Sequence, residues 1–403
     1  MTQPRSGGRT DRRVERNGRG TRYPDVIITA EAAADCPKSI YHVALWAQPM
    51  GRPGPSQTRH HERRASTRTA ATVTALALLG FYVAWPWLPW VAEPATRTIV
   101  LYGFSILGPA FEEGIFPAFQ EEWRNRTGER VAFASSFGGS GTIRNQIALG
   151  APAEVAIFSH EGDALQLVDD GVLSRAAWQD LPSRGVVTQS PLIMLVRQGN
   201  PRAIQDFGDL AGPGIGIIHP DPLTSGGAIW SIFAEYGSAL LATGDELVAY
   251  ERLLGIWRNV VAQASSTRAA RTQFDSGFGD ALITYEQEAV LDLMLGRLAA
   301  DVVYPARTIM TENIAVVIDR NVRGSEQRSL VEALLAFLWS ERAQSIFVDY
   351  GFRSVNASLD ARNPYLGPLS GVFHAEDLGG WLAAYEEIYL SVWKSRVLPQ
   401  VGT

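Results

Sequence analysis

Phe-Gly-Gly-Ser-Gly at residues 137–141 and Thr-Ser-Gly-Gly at residues 224–227 are the two stretches that decide the fold of this chain. Each follows a short apolar run and opens onto an amphipathic run, so each is predicted to connect a strand to the start of a helix. Backbone N–H groups at a helix start have no partner within the helix, and glycine lets a ligand approach the main chain. Two such starts facing one cleft would bind an anion.

Between residues 98 and 350, short apolar runs alternate with amphipathic runs, which is typical of an α/β protein. Strands are predicted at residues 98–104, 131–135, 155–158, 192–196, 215–218, 281–285 and 314–318. Helices are predicted at residues 110–127, 143–150, 160–170, 228–237, 245–260, 267–274, 286–296 and 326–350. Ligands of open α/β sheets collect outside the carboxyl ends of strands, so the two glycine-rich runs are well placed for a binding site.

Either glycine-rich run alone could be a plain turn followed by an N-cap, because serine caps helices and glycine turns easily. Two further predicted helix starts of the same kind favour a binding site over plain turns. Residues 105–109 read Ser-Ile-Leu-Gly-Pro after a predicted strand, and residues 265–268 read Ser-Ser-Thr-Arg before a predicted helix. Four matching helix starts are less easily accidental than one.

Charge divides the chain into a basic tail and an acidic remainder. Residues 1–68 hold 13 Lys and Arg against 6 Asp and Glu, and their Gly, Pro and Ser content predicts a disordered cytoplasmic tail. Residues 69–403 hold 23 basic and 36 acidic residues, a net charge of −13. Nucleic acid is therefore not expected as a partner of the folded part.

Residues 69–92 are predicted to be a transmembrane signal-anchor. Residues 70–91 carry no charge, four arginines precede them, and three tryptophans lie near their end. This length is close to the roughly 20 residues that cross a bilayer, with the positive charges kept in the cytoplasm. A cleaved signal peptide is the alternative, although Trp90 and Glu93 occupy positions where cleavage requires small residues. An uncleaved anchor and a cleaved signal peptide both place residues 97–403 outside the cytoplasm. Residues 1–49 are a candidate upstream extension, because Met50 directly precedes the basic run.

Cysteine and histidine supply no candidate metal or catalytic centre. Cys36 is the only cysteine and lies in the tail, so the exported part has neither a disulfide nor a thiol nucleophile. A hydrolase is disfavoured because Ser140 and Ser225 have no recognisable histidine base in sequence context. No metal or cofactor is expected, since core or surface roles are predicted for the three histidines beyond the apolar segment, which are His160, His219 and His374.

A fixed order of short motifs runs through residues 98–352. The motifs are Ile-Phe-Pro-Ala-Phe at 115–119 with Trp123, Thr-Gly at 127–128, Gly-Gly-Ser-Gly at 138–141, Leu-Val-Arg at 195–197 with Gly-Asn-Pro at 199–201, Pro222 with Ser-Gly-Gly-Ala at 225–228, and Gly-Asp-Ala-Leu-Ile at 279–283 with Glu286 and Glu288. In content and order they resemble the periplasmic sulfate-binding proteins of ABC importers. The resemblance implies a type II periplasmic-binding-protein fold, with two α/β lobes that close on a tetrahedral dianion. The implied lobes are residues 97–189 with 286–314, and residues 190–285 with 315–403.

The resemblance also implies a set of neutral donors for the dianion, without a balancing cation. They are the main-chain N–H groups of Leu107, Ser140, Gly226, Gly227 and Thr267, the hydroxyl of Ser225 and a side-chain donor from Tyr285. Each hydrogen bond to a charged acceptor is worth roughly 1.5 to 3 kcal/mol, so several together can offset dehydration of the anion.

The chain departs from the family pattern at four positions near this site. The family usually has Asp at Leu107, His at Phe137, Ala at Thr267 and Trp at Tyr285. Backbone donors survive such changes, whereas a phenol can accept as well as donate and has a shorter reach than an indole. Tyr285 either donates a hydrogen bond to the ligand or only packs between the lobes. Arg268 either braces the cleft or faces solvent.

The sequence therefore predicts an exported, membrane-tethered binding protein that captures sulfate and presents it to an ABC permease, and not an enzyme. Thiosulfate, molybdate and phosphate are alternative ligands of the same kind of site. A membrane-anchored oxyanion sensor or scaffold, signalling through the basic tail, is an alternative of a different class.

Overall fold

The computed structural model describes residues 96–174 and 176–401, together with residues 74, 76 and 78–81 upstream. Only the backbone is described for residues 176 and 177. The predicted cytoplasmic tail and most of the predicted membrane segment lie outside these residues. Within the described part of the chain, no helix is long and apolar enough to span a bilayer.

The described residues contain ten β-strands in one mixed sheet. The strands are β1 (Thr96–Phe104), β2 (Arg130–Gly138), β3 (Val155–Phe158), β4 (Val186–Arg197), β5 (Ile217–Pro220), β6 (Val260–Ala264), β7 (Ala281–Tyr285), β8 (Ala300–Val303), β9 (Thr308–Val317) and β10 (Val372–Phe373). The order across the sheet is β2-β1-β3-β9-β4-β7-β5-β6, with β8 paired to β4 and β10 paired to β9.

Strand pairing divides the sheet into two lobes. In the first lobe β1 pairs in parallel with both β2 and β3. In the second lobe β5 pairs in parallel with both β6 and β7. The long antiparallel strands β4 and β9 run between them: the first part of β4 pairs with β9, with Ser190 opposite Thr311, and its second part pairs with β7, with Leu192 opposite Tyr285. The two-lobed α/β fold implied by the sequence is confirmed.

Helices follow most of the strands along the chain. They are α1 (Phe116–Thr127), α2 (Ser140–Ala148), α3 (Glu161–Asp169), α4 (Ala176–Gln179), α5 (Gly226–Thr243), α6 (Glu246–Arg258), α7 (Thr267–Asp275), α8 (Glu286–Met294), α9 (Ser325–Leu338), α10 (Glu341–Asp349), α11 (Trp381–Ala384) and α12 (Leu398–Val401). Two π-helical segments, Ala110–Ile115 and Tyr385–Val397, directly precede α1 and follow α11. A single 3₁₀ turn, Ser105–Leu107, follows β1.

Burial explains why the central strands were visible in the sequence. Every residue of β3, β5 and β7 is buried. A parallel strand covered on both faces needs a continuous apolar run, and all three have one or nearly one. By contrast, exposed and half-buried residues predominate in β6, which lies at the edge of the sheet.

The contacts of two helices show to which lobe each of them belongs. Helix α8 packs on β7 of the second lobe and on β4, whose second part pairs with β7. Helix α9 is joined to β1 of the first lobe, where Gln327 donates to the carbonyl of Thr98 at 2.9 Å and Arg97 pairs with Glu326 at 2.6 Å. The sequence-based ranges had assigned these helices the other way round, because the chain crosses between the lobes at β9 and the sequence carries no marker of that crossing.

Candidate functional site

The carboxyl ends of the parallel strands lead into the predicted site. In the first lobe β1, β2 and β3 are followed by Ser105, Gly139 and Ser159. In the second lobe β5 leads through a short turn to Ser225, and β6 is followed by Ser265. Since parallel strands end at a common edge, each lobe presents a set of small polar residues and helix starts at one place.

The two lobes meet through main-chain atoms at this place. A Cβ atom at Gly139 of the first lobe would lie 2.5 Å from the carbonyl oxygen of Thr224 and 2.6 Å from that of Ser265, both in the second lobe. The N–H of Thr142 donates to the carbonyl of Thr224 at 3.3 Å. The cleft is therefore closed, and Gly139 is the residue that permits the contact.

Gly226 and Gly227 begin helix α5 between side chains of both lobes. A Cβ at Gly226 would overlap the hydroxyl of Ser159 and would lie 2.7 Å from Nε2 of His160, both in the first lobe. A Cβ at Gly227 would overlap the hydroxyl of Thr267 and would lie 3.2 Å from the phenol oxygen of Tyr285, both in the second. Because these are the first two residues of the helix, their N–H groups have no acceptor within it.

Three buried polar atoms beside these glycines have no hydrogen-bond partner among the described residues. They are the hydroxyls of Ser159 and Tyr285 and the Nε2 atom of His160, and the hydroxyl of Ser105 after β1 is likewise buried without a partner. Their residues range from fully buried to 6% exposed. A buried donor without a partner costs about 1 to 3 kcal/mol, so a cluster of them favours an acceptor that supplies several lone pairs at once.

The serine hydroxyls at two of the helix starts have different roles. Ser266 precedes α7 and accepts from the N–H of Ala269 at 3.1 Å, which is an ordinary N-cap. Ser225 precedes α5 but makes no such cap bond, and its hydroxyl lies 3.4 Å from that of Thr267. The hydroxyl of Ser225 is therefore available to a ligand without any loss to its helix.

Ser140 offers its main-chain N–H to the candidate site, whereas its side chain has a structural role. Its hydroxyl donates to Asp163 at 2.5 Å and accepts from the N–H of Ser159 at 3.0 Å. Asp163 is also 3.4 Å from Nη1 of Arg144. The negative charge of Asp163 is thus paired behind the site, and the Ser140 N–H at the start of α2 stays directed away from its own helix.

Tyr285 is fully buried, and its hydroxyl is one of the partnerless atoms. Its ring meets that of Phe104 edge-on, with centroids 5.4 Å apart. Burial raises the pKa of the phenol well above its usual value, and the negative charges of Glu288 and Asp163 act in the same direction. Tyr285 therefore remains a neutral phenol that can donate a hydrogen bond.

His160 is also a neutral donor. Its Nδ1 atom accepts from the N–H of Asp163 at 3.3 Å, so the proton of the neutral ring sits on Nε2. Burial lowers the pKa of the imidazole, and the charge of Arg144 lowers it further against the opposing effect of Asp163. The site thus presents Nε2–H, and not an imidazolium, beside Gly226.

The residues predicted from sequence occupy this region. Gly226, Gly227, Thr267 and Tyr285 lie next to one another, with Ser225 alongside, and all are buried. Leu107 ends the short turn after β1, and this turn contacts helix α7, which begins at Thr267. Arg268 is exposed and borders an open crevice of about 570 Å³ that also includes Ser105 and Phe137, so its charge faces solvent.

Sequence reasoning missed Ser105, Ser159 and His160 as candidate ligand-facing side chains. Ser105 and Ser159 directly follow strands β1 and β3, and their position at the strand ends is the sequence feature that could have identified them. His160 was predicted to have a core or surface role; it is buried, but at the site. His219 does have a core role: it is fully buried, 2.7 Å from the carbonyl of Pro220 and 3.1 Å from Glu235.

Metal ligands are not clustered here or elsewhere in the part of the chain that the structure describes: no group of three or more His, Cys, Asp or Glu side chains is placed to hold an ion.

Comparison with known proteins gives the family. The sequence model of the bacterial extracellular solute-binding proteins matches residues 103–353. The sulfate-binding protein of Synechococcus elongatus is 31% identical over 301 residues, which cover 74% of this chain and 84% of that protein. This chain belongs to the sulfate- and thiosulfate-binding family of extracellular solute-binding proteins.

Two more members of the family support the same assignment. The thiosulfate-binding protein of Pseudomonas aeruginosa is 32% identical over 294 residues, covering 72% of this chain and 88% of that protein. The solved structure of the sulfate-binding protein SubI from Mycobacterium tuberculosis aligns with a TM-score of 0.66 at 29% identity, covering 72% of this chain and 99% of SubI. All three relatives are named for binding an oxyanion and none for catalysis.

Proposed function

We propose that this solute-binding protein captures sulfate, or the closely related thiosulfate, in the cleft between its lobes and delivers it to an ABC permease. One observation carries the proposal: the partnerless donors of Ser159, His160 and Tyr285 lie beside the helix start at Gly226 and Gly227 inside a closed cleft. The names of the relatives supply the chemical class of the ligand.

The proposed donors come from both lobes. The first lobe supplies the N–H groups of Leu107 and Ser140 with the side chains of Ser105, Ser159 and His160. The second lobe supplies the N–H groups of Gly226, Gly227 and Thr267 with the side chains of Ser225 and Tyr285. A ligand that accepts from both sets holds the lobes together, which is how binding stabilises the closed form.

Neutral donors suffice for a dianion under these conditions. Each hydrogen bond to a charged acceptor contributes about 1.5 to 3 kcal/mol, and the starts of α2, α5 and α7 add the favourable ends of three helix dipoles. No catalytic base is needed. Because most of the groups are N–H donors, a protonated oxyanion brings an O–H that finds few acceptors, which favours fully ionised sulfate or thiosulfate.

Replacing Ser225 by alanine tests the donor set. The change removes one hydroxyl but keeps the Gly226 and Gly227 amides, so the affinity for sulfate should fall by roughly 1 to 3 kcal/mol with little change in the melting temperature. Ser266→Ala is the matched control: it removes an N-cap bond, so the melting temperature should fall while the affinity changes less. Isothermal titration calorimetry and thermal unfolding of both variants measure the two effects. An unchanged affinity in Ser225→Ala would remove this hydroxyl from the site.

We further infer that residues 70–91 anchor the protein in the cytoplasmic membrane, with the binding lobes outside the cytoplasm. The support is the uncharged sequence and the arginines before it, since most of the segment lies outside the described residues. The native protein should stay with membranes after a high-salt wash and be released by detergent. Recovery of a soluble form with a new N-terminus near residue 93 would instead identify a cleaved signal peptide.

A further inference from the structure

A C-terminal helical segment lies beyond the residues that the family model matches. It comprises α11, the π-helix Tyr385–Val397 and α12. Gly379 and Gly380, with φ of 90° and 92°, turn the chain directly before it. A π-helix normally occupies a single turn, so one of 13 residues calls for a structural reason.

The π-helix is stabilised by stacking of its aromatic rings and by packing on helices of the second lobe. Along the segment the rings of Trp381, Tyr385, Tyr389 and Trp393 stack in turn, with centroids 6.5, 5.0 and 5.1 Å apart. Trp393 then meets Trp257 of α6 edge-on at 4.9 Å. The segment also packs on α5, so it is attached to the second lobe along most of its length.

The first ring of the stack reaches the other lobe. The indole of Trp381 stacks on the imidazole of His160 with centroids 4.2 Å apart and planes 19° apart. It also covers Gly162 of α3 so closely that a Cβ there would lie 2.6 Å from Cε2 of the indole. On its second-lobe side Trp381 contacts the rings of Trp230 at 4.9 Å and Phe233 at 5.1 Å.

His160 is thereby fixed on every side but one. Trp381 covers a face of the ring, and Nδ1 is occupied by the N–H of Asp163. Trp230 meets the imidazole edge-on at 6.3 Å and donates from its own Nε1 to the carbonyl of Ser159 at 2.7 Å. Nε2 makes no hydrogen bond among the described residues: it lies 3.7 Å from a carboxylate oxygen of Asp163 and faces the start of α5 at Gly226.

We propose that Trp381 is a positioning residue of the oxyanion site: it holds His160 so that the Nε2–H donates to the ligand beside Gly226. The ring that does this is carried by a helix attached to the second lobe, so the donor is complete only when the lobes are closed. The inference rests on the proposed oxyanion-binding function and adds to it a residue that no motif of the sequence had indicated.

The charged groups around His160 set the expected pH behaviour. Asp163 lies on its own helix, Arg144 approaches from α2, and Tyr385 comes from the C-terminal segment. A cavity of about 140 Å³ that Trp381 also borders is lined by the charged side chains of Glu161, Arg184, Glu312 and Glu376. Burial lowers the pKa of His160, so the affinity of the wild-type protein for sulfate should depend less on pH between 5.5 and 8 than it would with an exposed imidazole.

Trp381→Leu tests the proposal in the full-length protein. At pH 8 the affinity for sulfate should fall about tenfold, because one donor is no longer held in place. Solvent then reaches the imidazole and its pKa returns toward the ordinary value. At pH 5.5 the ring becomes a cation beside a dianion, so the affinity of the variant should be higher at pH 5.5 than at pH 8. The double variant Trp381→Leu with His160→Asn should lose this pH dependence.

Two further variants separate positioning from packing. Gly162→Ala displaces the indole without removing it and should reproduce the weaker, pH-dependent binding. Trp393→Leu loosens the same segment far from His160, so it should lower the melting temperature but leave the pH dependence of binding as it is in the wild type. If wild-type protein binds sulfate and both Trp381→Leu and Gly162→Ala bind it equally well at both pH values, the positioning role is wrong. Absence of sulfate binding by the wild type would instead overturn the proposed function.

Discussion

Gly139→Ala should lower the affinity for sulfate by about 100-fold or more, equivalent to ~2.7 kcal/mol. The new methyl group would lie 2.5 Å from the carbonyl oxygen of Thr224 and 2.6 Å from that of Ser265, so the lobes could no longer meet. Both obstacles are backbone atoms, which cannot rotate away as a flexible side chain can. Separation of the lobes would relieve both clashes, so the melting temperature of the ligand-free protein should change little.

Gly138→Ala is the matched control for this prediction. A Cβ at Gly138 would meet Ile143 at 3.6 Å, an ordinary van der Waals distance, although the residue is adjacent in sequence. This variant should bind sulfate nearly as well as the wild type. Calorimetry of both variants, with small-angle X-ray scattering to detect closure, measures the difference. Equal affinities would mean that the main-chain contact between the lobes is not required for binding.

Tyr285→Phe should weaken sulfate binding by about 10- to 100-fold while leaving the ligand-free protein as stable as before, or slightly more stable. The phenol hydroxyl is buried without a protein partner. The substitution therefore removes one hydrogen-bond donor to the ligand, and it also removes an unsatisfied polar group from the ligand-free protein. The ring itself, and its contact with Phe104, are kept.

This result also decides between the two roles that the sequence left open for Tyr285. A residue that only packs between the lobes predicts an unchanged affinity for the phenylalanine variant. Binding constants from calorimetry and melting temperatures without ligand separate these roles, because the donor role requires the affinity to fall without any loss of stability.

Much of the fold was predictable because the central strands are continuous apolar runs. β3 and β7 have the predicted bounds, and the starts of α5 and α7 lie within two residues of theirs. β6 was missed because it is an edge strand without a clear apolar pattern, and its first residue, Val260, had been included in the preceding helix. The predicted helix at 326–350 is divided in two near Ser340, which caps α10 through the N–H of Ala343.

The C-terminal segment was not predicted at all. Its central part is a π-helix, in which hydrogen bonds join residues five apart, so its apolar side chains do not follow the α-helical period. Its aromatic residues are spaced to stack on one another and on the second lobe. A search for the α-helical repeat does not register that arrangement.

For the site, sequence could predict main-chain donors but not all of the side chains. Gly226 and Gly227 carry a local pattern that is sufficient to place them at a helix start. Ser159 and His160 follow a short strand with no such pattern, and they reach the site only because β3 pairs with β1. Trp381 depends on the path of the C-terminal segment across both lobes, which only the three-dimensional structure shows.

Calorimetric titration of the full-length protein with sulfate is the most direct test of the proposed function. The protein should first be unfolded and refolded in buffer free of sulfate and phosphate, so that no carried-over anion occupies the cleft. We expect one-to-one, saturable binding of sulfate, with thiosulfate competing for the same site and a monoanion such as nitrate binding far more weakly. The absence of a saturable signal with sulfate, or tighter binding of nitrate, would show that neutral donors from the two lobes do not close on a doubly charged oxyanion.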